Sequence, residues 1–318
     1  MHTCSLMLLR QFERFYWSSP SHQQALKVLE NMEEMPDLIL ANDIYSMPLA
    51  SAVAKGTSII LDLHEYAPRE WEDILKWRIF FQPYACYLTK KYLPAASATL
   101  TVCEGIANEY HKQFRVKPQV LTNASPLCEL KPCMPEESKI RMIHFGGAVP
   151  SRKLEEMIHL MDLLDDRFTL DFLLVPHESE YIRKLKNIAA KNPRIKFLPP
   201  VPMQELPYFA NRYDIGLYHL PPVNFNHLYA LPNKFFEFIQ ARLAIAIGPS
   251  PEMARYVREF ECGIVADTFD ITSLAPKLQG LDAKQILFYK NNSHRLAQAL
   301  NAENNGQIML KMVNSLKF

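Results

Sequence analysis

Short runs of Ile, Leu and Val recur along this chain with helical patterns between them, and that alternation limits the fold more than any other feature. Runs this brief and this apolar suit strands buried on both faces, and strands separated by helices suit parallel sheets covered on both sides. In the first half the pattern predicts strands at Asp37–Ala41, Ser58–Leu63, Ala98–Val102 and Gln119–Leu121. Helices are expected near His22–Met35, Tyr45–Lys55, Trp71–Leu93 and Ile106–Phe114. Between Ser125 and Ser138 the pattern stops, and Pro126, Pro132 and Pro135 mark an interdomain linker. Beyond it strands are expected at Ile140–Phe145, Thr169–Val175, Ile195–Leu198, Ile215–Tyr218, Leu243–Ile247 and Gly263–Ala266. Helices should lie near Leu154–Leu164, Glu180–Lys191, Met203–Asn211, Asn233–Arg242, Pro251–Phe260 and Ser273–Leu278, with a helical tail after Ala283. The expected organisation is an α/β pair of doubly wound domains, residues 1–130 and 131–318.

A length of 318 residues at 48% apolar content is enough for two ordinary domains. The 35 Lys and Arg nearly balance the 34 Asp and Glu, which removes the electrostatic case for a nucleic-acid binder. Six cysteines show neither paired metal spacing nor a compact disulfide framework, so a reducing cytoplasm fits them best. No apolar run approaches the roughly 20 residues that span a bilayer, and the opening residues read as neither signal peptide nor anchor.

Chemistry concentrates in residues 228–250. A loop runs into Pro232 and Asn233, a short helix carries Lys234 and Glu237, and an apolar strand ends at Gly248. A helix start collects unpaired N–H groups and partial positive charge, and Lys234 adds a full one, so the spot suits a diphosphate. Glu237 lies one turn on, on the same face, where a carboxylate can accept from ribose hydroxyls. Gly146 and Gly147 end an apolar strand and precede Arg152 and Lys153. Bare backbone lets a ligand approach, and two cations can neutralise a diphosphate, although a plain turn with a solvated basic pair has the same pattern.

His64 ends the strand Ser58–Leu63, where α/β sheets present side chains to ligands, so it could hydrogen-bond a sugar hydroxyl or help position an acceptor, although a lone histidine is more often structural. Asp43 is expected to cap the helix that begins near Tyr45, with an acceptor contact as the alternative, and Glu104 occupies a similar position with the same two readings. Asp165 and Asp166 read as a solvated helix end, and no metal site emerges. From Trp71 to Tyr92 aromatic residues alternate with Lys76, Arg78, Lys90 and Lys91. That mixture suits a membrane interface or a lipid-linked acceptor, although aromatics at helical spacing more often pack a core.

The run Leu231–Arg242 and its following strand resemble the donor-binding segment of GT-B retaining glycosyltransferases of family 4. The resemblance extends to Ile140-Arg-Met-Ile-His-Phe-Gly-Gly, Tyr213-Asp-Ile-Gly-Leu and Ile59-Ile-Leu-Asp-Leu-His-Glu-Tyr, and covers roughly residues 36 to 305. It implies two Rossmann-like domains facing a cleft, with the acceptor on the first and a nucleoside-diphosphate sugar on the second. It assigns Lys234 and Arg152 or Lys153 to the diphosphate, Glu237 to the nucleotide and His64 to the sugar side. It further implies metal-independent transfer, with no cofactor, to a saccharide or lipid-linked acceptor of bacterial surface polysaccharide; the cysteines and the Trp71–Tyr92 stretch add the expectation of a cytoplasmic protein with peripheral contact to the membrane's inner face.

Two departures accompany it. Family members open with a further strand, a glycine-rich turn and a helix, whereas Met1–Trp17 reads as a polar-apolar helix or frayed segment, giving a shortened acceptor domain. The family's first glutamate, eight residues before Glu237, is Tyr229 here, with Asn224, Asn226 and His227 as nearby polar residues. A regulatory subunit needing a partner glycosyltransferase and a nucleotide-sugar 2-epimerase are the alternative readings.

Overall fold

Among the residues described by the computed structural model (2–34, 36–176 and 178–316, backbone alone for 2–4), ten strands form two sheets, each parallel throughout. The chain divides into one unit of Met1–Thr122, Asn224–Asn226 and Gln307–Phe318, and a second of Asn123–Val223 and His227–Gly306.

The first unit opens with helices α1 (His2–Leu8), α2 (Phe12–Trp17) and α3 (Pro20–Glu30). Met35, where the third helix is expected to end, lies outside the described residues. There follow β1 (Leu38–Asn42), α4 (Met47–Val53), β2 (Ser58–Asp62), α5 (Leu75–Tyr92), β3 (Ala98–Thr101), α6 (Glu104–Phe114) and β4 (Gln119–Val120). The strands stand in chain order, β1-β2-β3-β4. Right-handed crossovers then place α4, α5 and α6 on one face. Successive strand residues point to opposite faces, and Ile60 and Leu100 meet Met312 from the end of the chain, which covers sheet surface the crossovers leave.

The second unit carries β5 (Ile140–Gly147), α7 (Glu155–Asp162), β6 (Phe168–Val175), α8 (Glu180–Ala189), β7 (Ile195–Leu198), α9 (Leu206–Ala210), β8 (Ile215–Tyr218), α10 (Phe225–Leu228) and α11 (Asn233–Gln240). It continues with β9 (Ala244–Ile247), α12 (Pro251–Glu259), β10 (Gly263–Val265), α13 (Ala275–Gln279), α14 (Ala283–Ala299) and α15 (Ala302–Ser315). Residues 225–226 at the start of α10 and α15 from Gln307 onward belong to the first unit. The strand order is β10-β9-β8-β5-β6-β7. Winding runs one way from β5 through β7 and reverses at β8, so the switch point lies between β5 and β8. Open α/β sheets bind ligands beyond the strand ends at that point.

Two details set the floor of that point. β5 runs two residues past its expected end because β6 is equally long, so Gly146 and Gly147 pair within the ladder with Leu174 and Val175. A Cβ on Gly216 of β8 would stand 2.5 Å from the Phe238 ring, so only glycine lets α11 lie this close to the sheet. Phe235, Phe236, Phe238 and Ile239 are all buried, which seats the helix firmly.

Candidate functional site

Four groups from three elements meet at the switch point: Gly146 and His144 of β5, Tyr218 of β8 and Lys234 of α11. Gly146 has φ +118°, a conformation that side chains rarely adopt, and a Cβ there would stand 3.0 Å from the Lys234 ammonium. Gly147 is as close to Arg152, whose guanidinium folds back to donate to the Gly147 carbonyl at 3.0 Å. Lys153 takes the other direction. It is half-exposed with a left-handed backbone, and its ammonium lies 3.8 Å from Glu156. Of the basic pair, only Arg152 folds onto the glycine turn.

Lys234 is 6% exposed. Its Nζ lies 3.4 Å from His144 Nε2 and 4.4 Å from the centre of the Tyr218 ring. No ion pair joins it to a carboxylate within 4.0 Å among the described residues. Burying an ammonium without a counter-charge costs several kcal/mol, and a desolvated cation–π contact contributes about 2 kcal/mol, so the Tyr218 ring alone does not offset the burial. Burial, reinforced by Arg152, therefore pushes the Lys234 pKa well below that of an ordinary lysine, against a smaller opposing pull from Glu237. An incoming anion would supply what the fold withholds.

The start of α11 adds to this. Pro232 holds the N-cap position in extended backbone and provides no side-chain acceptor for the first-turn N–H groups. Asn233 is exposed at the first helical position. Glu237 follows one turn after Lys234, buried at 7% exposure, and its pKa is raised by burial and lowered less by Lys234. At the far end Arg242, fully buried in left-handed backbone, donates to the carbonyls of Ile239, Gln240 and Cys128 and closes the helix.

His144 carries no role in the sequence reading, because a histidine inside an apolar strand reads as core. The structure buries it completely, between Phe172 and Tyr218. Its Nδ1 lies 2.9 Å from the Leu217 carbonyl, which can only accept, so Nδ1 carries the proton and Nε2 faces Lys234 as an acceptor. Burial first, and Lys234 second, hold its pKa well below that of a free imidazole.

His219, just beyond β8, is 1% exposed with Nε2 3.0 Å from a Glu156 oxygen. That separation is short enough for an ion pair, but burial lowers the His219 pKa to about 4, and the atoms are not aligned for a hydrogen bond. The contact is between a neutral ring and a carboxyl group.

On the first unit, His64 follows β2 with φ +53° and a half-exposed side chain. The Asp62 carboxylate, 3.9 Å from Nδ1, raises its pKa against the effect of burial, and Asp43 and Glu65 add to the rise. Asp43 precedes the short 3-10 turn Ile44–Ser46 but makes no side-chain cap bond, contrary to the capping role expected of it, because its φ of +61° turns the residue away from cap geometry. Glu104 begins α6, where its charge suits the helix dipole. Within this unit Asn224 donates to Asp73 at 3.0 Å, and Asn226 accepts from the Tyr66 N–H at 2.9 Å. Both hold local structure.

Among the described residues no group of three or more His, Cys, Asp or Glu side chains could hold a metal ion, and no helix is long and apolar enough to cross a membrane.

No family model and no curated protein matches the sequence. Solved structures do. A sucrose-phosphate synthase from Thermosynechococcus elongatus superposes with TM-score 0.76 at 14% identity, covering 95% of this chain and 79% of that one. An α,α-trehalose-phosphate synthase (UDP-forming) from Burkholderia vietnamiensis gives 0.70 at 12% identity, with coverage of 96% and 80%. TarM gives 0.70 at 12% identity, and this chain, covered over 91%, spans 57% of its length. These neighbours are GT-B glycosyltransferases, and the likeness establishes the fold: an α/β protein with two Rossmann-like domains.

Proposed function

We propose that this chain is a glycosyltransferase that takes its sugar from a nucleoside-diphosphate sugar bound on the second unit. The observation that carries the reading is Lys234, a buried ammonium with no carboxylate partner among the described residues, set against a bare glycine turn at the sheet's switch point. In this reading Lys234 and Arg152 face the diphosphate, Lys153 is turned toward Glu156, and Glu237 accepts from the ribose. Fixed cations aimed at a leaving group stabilise charge that develops only as its bond breaks. The bond from the anomeric carbon to the diphosphate oxygen breaks, positive charge builds on the sugar ring, and an acceptor hydroxyl adds with retention as its proton passes to the departing diphosphate oxygen. His64 serves the sugar side. Two cations and a helix start already neutralise the diphosphate, so no divalent ion is needed.

Two of the neighbours bear on the nucleotide: the UDP-forming synthase above, and a mutant of S. aureus TarM crystallised with UDP, Fondaparinux and α-GlcNAc-glycerol. UDP is therefore the first probe. The finer assignment, to family 4 with a short acceptor domain, rests on the Leu231–Arg242 motif and on the four strands of the first sheet. A saccharide or lipid-linked acceptor for bacterial surface polysaccharide, handled at the cytoplasmic face of a membrane, fits one further feature. Trp71, Leu75 and Ile79 are exposed at intervals of four, beside Lys76 and Arg78. The neighbours do not favour the regulatory-subunit or epimerase alternatives.

The test is turnover. Wild-type protein incubated with UDP-sugars and saccharide acceptors should release UDP and form a product whose anomeric configuration, read by proton NMR, matches the donor's. An inverted product would remove the retaining assignment, and epimerised donor without transfer would replace the reading altogether.

A further inference from the structure

His144 has two neighbours that fix what each ring nitrogen does. Nδ1–H is committed to the Leu217 carbonyl of β8 at 2.9 Å, which leaves Nε2 with a lone pair and no proton. That lone pair points at Lys234 Nζ, 3.4 Å away. Phe172 and Tyr218 enclose the ring, so it has no room to turn. One ammonium proton directed at Nε2 leaves the other two directed elsewhere, and with the Tyr218 face on one side the open direction is toward Gly146.

We propose that His144 is a positioning residue for the diphosphate contact, acting through Lys234: its Nε2 anchors the lysine and so fixes where the ammonium presents its remaining protons. This rests on the donor-site reading above. The ring also keeps Lys234 from an unfavourable neighbour, because an imidazolium there would repel the ammonium. Burial and Lys234 itself keep the imidazole neutral. Arg152, Glu237 and Tyr218 are the other titratable groups that bear on this pair.

Three substitutions separate positioning from packing. His144→Phe keeps a ring between Phe172 and Tyr218 but removes both hydrogen bonds. His144→Gln can donate its amide to Leu217 and offer its carbonyl to Lys234. Lys234→Met keeps the length and removes the charge. Dissociation constants for UDP and GDP, measured calorimetrically alongside melting temperatures, should show His144→Phe weakening binding roughly tenfold. His144→Gln should restore most of that loss. In the Lys234→Met background His144→Phe should cause no further weakening, the mark of a residue that acts through another. If wild type binds and His144→Phe lowers the melting temperature without changing affinity, the ring is packing alone and the inference falls while the donor site stands. Additive losses in the double variant would also overturn it. If wild type binds neither nucleotide, the donor-site reading falls and takes this inference with it.

Discussion

A Cβ atom on Gly146 would stand 3.0 Å from the Nζ of Lys234, so the turn at the end of β5 and the start of α11 are fitted to each other atom by atom. The glycine is required twice, by its φ of +118° and by this contact. Gly146→Ala should lower stability by about 1–3 kcal/mol through backbone strain and displace the ammonium, weakening UDP binding roughly tenfold. Urea unfolding beside calorimetry checks both. Loss of stability with full affinity would show that Lys234 does not depend on the turn.

Much of this fold is written in local pattern. The strands Ile195–Leu198 and Ile215–Tyr218 form as their apolar runs predict, and the others shift by one or two residues at their ends. The Asn233–Gln240 helix and the glycine pair are legible for the same reason, since helix starts and bare turns have sequence signatures. What escapes is set by contacts distant in sequence. His144 shows its role only when β8 and α11 are brought beside it, 73 and 90 residues away. Met312 reaches Ile60 and Leu100 from the far end of the chain. The aromatic stretch from Trp71 to Tyr92 reads uniformly in sequence, yet the structure buries Tyr84 and Tyr92 and exposes Trp71 and Phe81.

Glu237 offers a second test. Its carboxylate is buried, and its burial raises its pKa, so it remains a costly group to place there without a partner. Glu237→Gln keeps the shape and removes the charge. Nucleotide affinity should weaken by roughly 1.5–3 kcal/mol, the scale of a hydrogen bond to a charged group. Unchanged affinity would make Glu237 a helix residue with no ribose contact.

His219 predicts a pH dependence. Its pKa in the folded protein, about 4, lies below the ordinary 6.5, so folding favours the neutral ring. That contribution is fully present above about pH 6.5 and is lost as pH falls toward 4. Between pH 7.5 and 4.5 wild type should lose roughly 2–3 kcal/mol more stability than His219→Gln, measured by urea unfolding. Equal losses in the two proteins would mean His219 titrates normally.

The exposed ridge at the start of α5 makes a prediction about surfaces. Leu75 and Ile79 are 62% and 57% exposed, with Trp71 four residues earlier. The protein should float with vesicles containing anionic lipid, and Trp71→Ala combined with Leu75→Ala should abolish flotation while leaving UDP affinity intact. Equal flotation of the variant would assign membrane contact elsewhere, and failure of wild type to float would remove it.

The central claim is that Lys234 holds the diphosphate of a nucleotide without a divalent ion. Calorimetric titration of UDP and GDP into wild type and Lys234→Met, each with a chelator present, tests it in one series. The account predicts binding by wild type of at least one nucleotide that is undiminished by the chelator and weakened about 10- to 100-fold by Lys234→Met. Binding that requires magnesium or manganese, or that survives loss of the lysine unchanged, would contradict it.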